Sequence, residues 1–277
     1  MDPIATIKKT RAITTEILKE SVASLEERSE AHLNSEVLKS ISECPELYPA
    51  GWYDPPPGGC SMLFDKRSFE RLGYETLRDP KFWPRTDIIF DDETVGLLYV
   101  STIDRATGLF GDTGLTIYRG SDKKIRAHIR EVYDTLRAAC DVAEVGMTFA
   151  QLNEEIMRIF LSRHKTIRWM ITYNDPLKGA NLGHTVPGSM VEQPKGRSFE
   201  EVRQWITRGR IFINSVEEFT IPTTCAFTIE ARLVDTQDES LPNTFFHFII
   251  AFSDGKKEIL AGFDDIFRGV GMDYMLS

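Results

Sequence analysis

"LGHTVPGS", residues 182–189, places one histidine between a glycine and a bend that cannot be helix. Pro187 lacks a backbone donor, while Gly183 and Gly188 tolerate conformations and close approaches denied to other residues. A lone histidine in such a segment is ordinarily structural. His184 becomes informative only through what stands on either side of it.

Upstream, residues 4–43 show helical periodicity: Ile7, Ile13, Ile17, Leu18, Val22 and Leu25 recur among Lys, Arg and Glu. "YPAGWYDPPPGG" (48–59) ends that region, because three prolines and two glycines forbid regular structure. A mixed stretch to about residue 85 precedes "TVGLLYVSTI" (94–103), a strand by its β-branched apolar run. "GLFGDTGLTIYRGSD" (108–122) reads as a glycine-punctuated turn feeding a second strand. A helix follows from near Lys124, with an apolar stripe of Ile125, Ile129, Val132, Tyr133, Leu136 and Ala139 or Cys140, closed by Gly146. "TFAQLNEEIMRIF" (148–160) opens the next helix with a Thr148/Gln151 capping box. Downstream, "RSFEEVRQWITRG" (197–209) is a short helix stopped by Gly209. "TCAFTIEARLVD" and "TFFHFIIAFSDG" are strand-like, the second ending in an Asp-Gly turn.

Arg11-Ala12 and Arg126-Ala127 each fall in a long helical stretch, 126 − 11 = 115 residues apart. The echo points to an α+β fold with a duplicated unit. The expected organisation is one domain over 1–277, with an N-terminal half (1–90) that starts helical and a C-terminal half (91–277).

Composition excludes more than it assigns. The 277 residues are 42% hydrophobic and 27% charged, as in ordinary soluble domains. A net charge of −9 disfavours a nucleic-acid partner. No apolar run approaches the roughly 20 residues that span a bilayer, and the N-terminus lacks a signal-peptide h-region. Cys44, Cys60, Cys140 and Cys225 form no CxxC pair, so a reducing, cytoplasmic compartment is expected.

Four side chains able to hold a metal lie on separate segments: Asp112, His184, Glu230 and His247. Each alone has a bland explanation. Asp112 in "FGDTG" suits a turn. His184 suits a structural bend, Glu230 a solvated strand face, and His247 in "FFHFIIAF" a satisfied core histidine.

Taken in order, their surroundings resemble the pita-bread fold of methionine aminopeptidases, proline-specific peptidases and creatinase. "GLFGDTGLTIYRG" (108–120) resembles that family's Gly-aromatic-His-Gly-Asp-Thr stretch, and "GHTVPGSMVEQP" (183–194) its Gly-His-Gly-Ile-Gly motif. "AFTIEARLV" (226–234) resembles its Phe-Thr-Ile-Glu-Pro strand, and "VAEVGMTFAQL" (142–152) its Pro-Gly-Met-Thr junction between helices. The likeness covers about residues 95–260 and implies duplicated helix/antiparallel-sheet halves around a central metal site.

Departures from the family pattern carry the functional expectation. The family's first metal-binding Asp falls on Ser101, with Asp104 nearby but out of register. Its last, bridging Glu falls on His247, and its substrate-side histidine on Val191. An imidazole cannot bridge two ions as a carboxylate does, so the resemblance implies one metal held by Asp112, His184, Glu230 and His247. Fe(II) is the leading choice, then Mn(II) or Zn(II).

Loss of the second metal removes the two-ion hydrolytic device. The expectation is therefore a mononuclear metal-dependent enzyme acting on a small organic molecule by oxidative or lyase-type chemistry. A single-metal aminopeptidase-like hydrolase and a non-catalytic binding protein are the alternatives. Phe110, Tyr118, Tyr173, Phe246 and Phe248 are expected around an apolar pocket, and Arg232 could receive a substrate carboxylate. A small-molecule substrate and a homodimer are the expected partners, without nucleic acid or membrane.

Overall fold

The computed structural model describes residues 2–23, 25, 28–54, 56–66, 71–72, 77–168, 179–191 and 196–276. Tyr173 lies outside them. The N-terminal helical region is two helices, α1 (Pro3–Val22) and α2 (Glu30–Glu43), where periodicity predicts one. α1 begins with Pro3 in its first turn and the Asp2 side chain accepting the Ile4 N–H. The second helix starts because Ser29 caps the His32 N–H and Glu30 is drawn inside. The Glu30 carboxylate there accepts the Arg85 N–H at 2.9 Å and pairs with the Arg71 guanidinium. Apolar spacing cannot register a buried carboxylate.

α3 (Lys123–Asp141) starts where the sequence puts it but ends at Asp141, short of the expected stop at Gly146, while α4 (Phe149–Ser162) and α5 (Phe199–Gly209) fall where the sequence puts them. The Thr148/Gln151 capping box is present, and Gly209 ends α5. Ile129, Val132, Leu136, Ala139 and Cys140 of the α3 stripe are buried. α6 (Asp264–Val270) follows the last strand. No helix is long and apolar enough to cross a membrane among the described residues.

Among the described residues, three antiparallel sheets carry the strands. β1 (Cys60–Lys66), β2 (Thr94–Val100) and β3 (Thr113–Ile117) form the first in that order. β1 arises from the stretch that reads as mixed. β4 (Lys165–Ile167), β6 (Arg232–Asp235) and β7 (Thr244–Phe245) form the second, in the order β4-β6-β7. β5 (Cys225–Ile229), β8 (Phe248–Ser253) and β9 (Lys256–Leu260) form the third, in the order β5-β8-β9. Asp254 and Gly255 close the β8–β9 hairpin with φ of 49° and 79°, the two positive values a tight I′ turn requires.

Two seams join the sheets and create the site. Along β3, the Phe245 N–H donates to Thr116 Oγ1 and the His247 N–H to the Gly114 carbonyl, both at 2.8 Å. Along β5, the segment 182–186 runs as an added extended chain. The Thr228 N–H donates to the His184 carbonyl at 2.8 Å, and the Glu230 N–H to the Leu182 carbonyl at 2.9 Å. Its other side pairs with residues 211–213. The bend at Pro187 thus ends a strand-like run through the interior.

Candidate functional site

Each of the four expected side chains sits at one of these seams. Asp112 precedes β3, His184 lies in the extended segment, Glu230 follows β5, and His247 falls between β7 and β8. All four are buried. Glu230 is therefore not on a solvated face, because the 182–186 segment covers it.

Glu230 is the hub. Its Oε1 lies 3.2 Å from His184 Nε2 and its Oε2 3.5 Å from His247 Nε2. The Thr228 hydroxyl also donates to Oε1 at 3.1 Å. Hydrogen-bond chemistry fixes the proton on each ring. His184 Nδ1 faces the Thr185 carbonyl at 3.0 Å, and a carbonyl only accepts, so this nitrogen carries hydrogen. Burial and then the Arg210 charge hold the ring well below its usual pKa, hence neutral. His184 Nε2 is then a bare lone pair facing a carboxyl oxygen, and a shared proton or a cation must lie between them.

His247 has the opposite tautomer. Arg11 Nη1 donates to its Nδ1 at 3.2 Å, and a guanidinium only donates. Burial, followed by the Arg11 charge, keeps this ring neutral too, so its one proton sits on Nε2. That nitrogen is buried without a hydrogen bond among the described residues.

Asp112 is held by protein donors. The Trp52 indole N–H is 2.9 Å from both carboxylate oxygens, and the Tyr99 hydroxyl donates to Oδ2 at 3.1 Å. Burial pushes the Asp112 pKa well up, Glu230 adds to this, and the Trp52 and Tyr99 donors and Arg11 oppose it. Gly114 makes the approach possible. A Cβ there would lie 2.4 Å from the Phe245 ring and 3.0 Å from that of Tyr99.

Tested against a metal ion, the four-ligand set does not fit as arranged. The Asp112 oxygens meet the indole N–H where a bidentate cation would sit. A metal on His247 Nε2 would have to strip its proton while Nδ1 still faces a guanidinium. Only His184 and Glu230 keep donor atoms directed at a common gap, short of the three or four protein ligands usual for such ions. Elsewhere, His128, Glu131 and Asp235 bring ligand atoms within 4.8 Å of one another and could hold an ion. Lys165 already occupies that cluster, with its Nζ 2.6 Å from both carboxylates.

A pocket opens beside Glu230, lined by His184 and by Trp52, Tyr53, Tyr99 and Phe245, with Arg210 and Arg232 among its walls. Arg210 lies 4.7 Å from the Trp52 ring and Arg232 5.0 Å from that of Phe245. Arg232, expected from the sequence to be able to receive a substrate carboxylate, is among the residues lining this pocket. The expected aromatics are replaced by others for a reason of parity. Phe246 and Phe248 face Tyr133, Phe263 and Phe267 on the α3/α6 side, and their neighbours Phe245 and His247 face the site. Phe110 meets the His184 ring at 5.9 Å from behind, and Tyr118 bonds to the Asp122 N–H. Ser101 binds Gly59 and Tyr53, Asp104 caps the turn at Thr107, and Val191 is exposed.

None of Arg11, Trp52, Tyr99 and Arg210 is among the site residues the sequence points to. One of them carried a signal: Arg11 lies four residues after Ile7 and seven before Leu18, on the apolar stripe of α1. A charge at such a position needs a buried partner.

The titration directions give a stability test. In the unfolded chain histidines protonate near pH 6.5, whereas His184, His247 and His128 are held below their usual values in the fold. Below that pH the unfolded state binds protons that the folded state refuses, so stability falls as pH falls. Raised Asp112 and Glu30 work the other way. With three histidines refusing protons that the unfolded chain takes up around pH 6.5, against two carboxyl groups, stability should fall from pH 7 to pH 5.5. Urea unfolding at pH 7 and 5.5 should show it, and an unchanged midpoint would refute the assignment.

Comparison with known proteins places the scaffold. No family model and no curated protein matches the sequence. Solved structures do. A dipeptidase of Pyrococcus horikoshii aligns with TM-score 0.62 and 14% identity, covering 94% of this chain and 60% of its own. A methionine aminopeptidase of Thermotoga maritima aligns with TM-score 0.62 and 14% identity, over 92% of this chain and 95% of its own. An Escherichia coli aminopeptidase P gives 0.62 at 11%, over 99% of this chain and 59% of its own. The chain thus spans about 60% of the dipeptidase and nearly all of the methionine aminopeptidase. At these identities the likeness shows the fold, and the fold is pita-bread.

Proposed function

We propose that this chain is an enzyme that moves a proton on a small, acidic organic molecule, in lyase or isomerase fashion, at the His184–Glu230 pair. One observation carries the reading: a neutral imidazole lone pair 3.2 Å from a carboxyl oxygen, both lining one pocket. A proton shared across that gap can pass to substrate from Glu230 or be taken up by His184 Nε2. Thr185 fixes the tautomer, as an orienting group must. The aromatic walls suit an apolar body, and the positive charge of Arg210 and Arg232 suits an acidic group.

A panel of small carbonyl acids, incubated with the protein in D₂O, tests this by deuterium uptake at the carbon beside the carbonyl. Glu230→Gln and His184→Ala should each slow the exchange by about 10²–10⁴-fold. Exchange that ignores both substitutions sinks the proposal. Turnover of Met- or Xaa-Pro peptides would favour a hydrolytic enzyme like those the similar structures are named for.

A metal-dependent enzyme, with Fe(II) ahead of Mn(II) and Zn(II), is the second reading. It draws on the same gap, since a cation also satisfies two facing lone pairs. Activity abolished by chelation and restored by one of these ions would favour it.

A further inference from the structure

We propose that Trp52 and Arg11 stand in for a metal ion, closing this site to metals by occupying the Asp112 carboxylate and the outer nitrogen of His247. Trp52 is no mobile cap. It is buried, its backbone N–H donates to the Ser101 carbonyl at 3.0 Å, and its ring lies 5.3 Å from that of Phe110 and 5.7 Å from that of His184. Arg210 covers the ring from a further side. The indole therefore has one way to point, and its N–H meets both Asp112 oxygens at the same distance. With the Tyr99 hydroxyl added, two protein donors hold the carboxyl group on the side where a cation would otherwise sit.

Arg11 supplies the charge that an ion would otherwise bring. Its guanidinium is buried and fixed by the His247 and Ala261 carbonyls at 2.6 and 2.7 Å. It also lies 5.4 Å from the Phe263 ring. From there it dictates that His247 presents N–H, not a lone pair, towards Glu230. Two of the four groups in the expected ligand set are thereby taken by the protein itself. Removing the indole N–H would free the Asp112 carboxylate to move onto an ion held by His184 and Glu230; in the fold as it stands the ligand atoms of these three do not all lie within 4.8 Å of one another.

The test counts metal. The full chain and its His184→Ala variant are incubated with Co²⁺ or Mn²⁺, desalted and analysed, and the difference between them is read. Ion held elsewhere, as at His128, Glu131 and Asp235, cancels in that difference. The native difference should stay below about 0.1 per chain. In a Trp52→Phe background, which keeps a ring and removes the N–H, the difference should rise towards one. A native difference near one overturns the proposal, and a Trp52→Phe difference near zero overturns the role given to the indole. Should Trp52→Phe not fold, the native chain decides alone. Its melting temperature should move by less than ~1 °C with EDTA or Co²⁺, and a larger rise that His184→Ala abolishes overturns the closed site. A closed site would also count against the metal-dependent reading, whereas the proton-transfer reading is decided by the exchange assay alone.

Discussion

Arg11→Met should cost about 3–5 kcal/mol of folding stability, because it strips donors from several buried acceptors at roughly 1–3 kcal/mol each. Methionine roughly fills the volume but replaces none of the donors. The His247 and Ala261 carbonyls and His247 Nδ1 lose their partners at once, and Asp112 loses the cation facing it. Burial draws the Arg11 pKa down to about 9, and the Asp112 charge opposes that shift, so the group is cationic at neutral pH. Arg126→Met is the control, since Arg126 echoes Arg11 in the sequence. It is only partly buried, donates to the Gly120 carbonyl at 2.6 Å and lies over Tyr274. Its loss should cost nearer 1 kcal/mol. Urea unfolding measures both, and equal costs would mean that Arg11 does not hold the site together.

Gly183→Ala should be nearly as damaging, at about 3 kcal/mol, the upper end for forced overpacking. A Cβ at that position would stand 1.9 Å from the Thr228 carbonyl oxygen. Backbone is the obstacle, so no rotamer relieves it. The 182–186 segment would have to leave β5, breaking the pairing of His184 with Thr228 and of Leu182 with Glu230. His184 would move with it, and its Nε2 would separate from Glu230. At Gly188 the nearest atom is Leu109 Cδ2, the tip of a flexible side chain at 2.6 Å, so Gly188→Ala should cost about 1 kcal/mol. Thermal melts of the two variants decide, and a Gly183→Ala midpoint within 2 °C of native would contradict the close approach seen here.

The candidate residues differ in how far the sequence betrays them. His184 and Glu230 stand in motifs whose order gives away the fold, and the structure brings them within 3.2 Å. His247 and Asp112 are equally visible as side chains. Their partners are not, because Arg11 lies 236 residues from His247 in the chain and Trp52 lies 60 from Asp112. Trp52 sits in a stretch whose prolines speak only of irregular backbone. Nothing local says that its indole reaches a carboxylate. The aromatic wall is a different case. Phe245 and His247 alternate with Phe246 and Phe248, so period-two reading divides them into two sets but cannot say which set faces the pocket.

By itself, then, the sequence determined the α+β class, most helices with their caps, the Asp-Gly hairpin and the order of motifs typical of a pita-bread chain. These rest on local rules: apolar periodicity, capping side chains and turn residues act within a few positions. Tertiary structure alone decided which protons the two histidines carry and what holds Asp112. A tautomer is set by the group across the hydrogen bond, and a buried carboxylate by whichever donors the fold delivers to it. Those groups come from α1, from the proline-rich segment and from β2, and only the seams between the sheets bring them together.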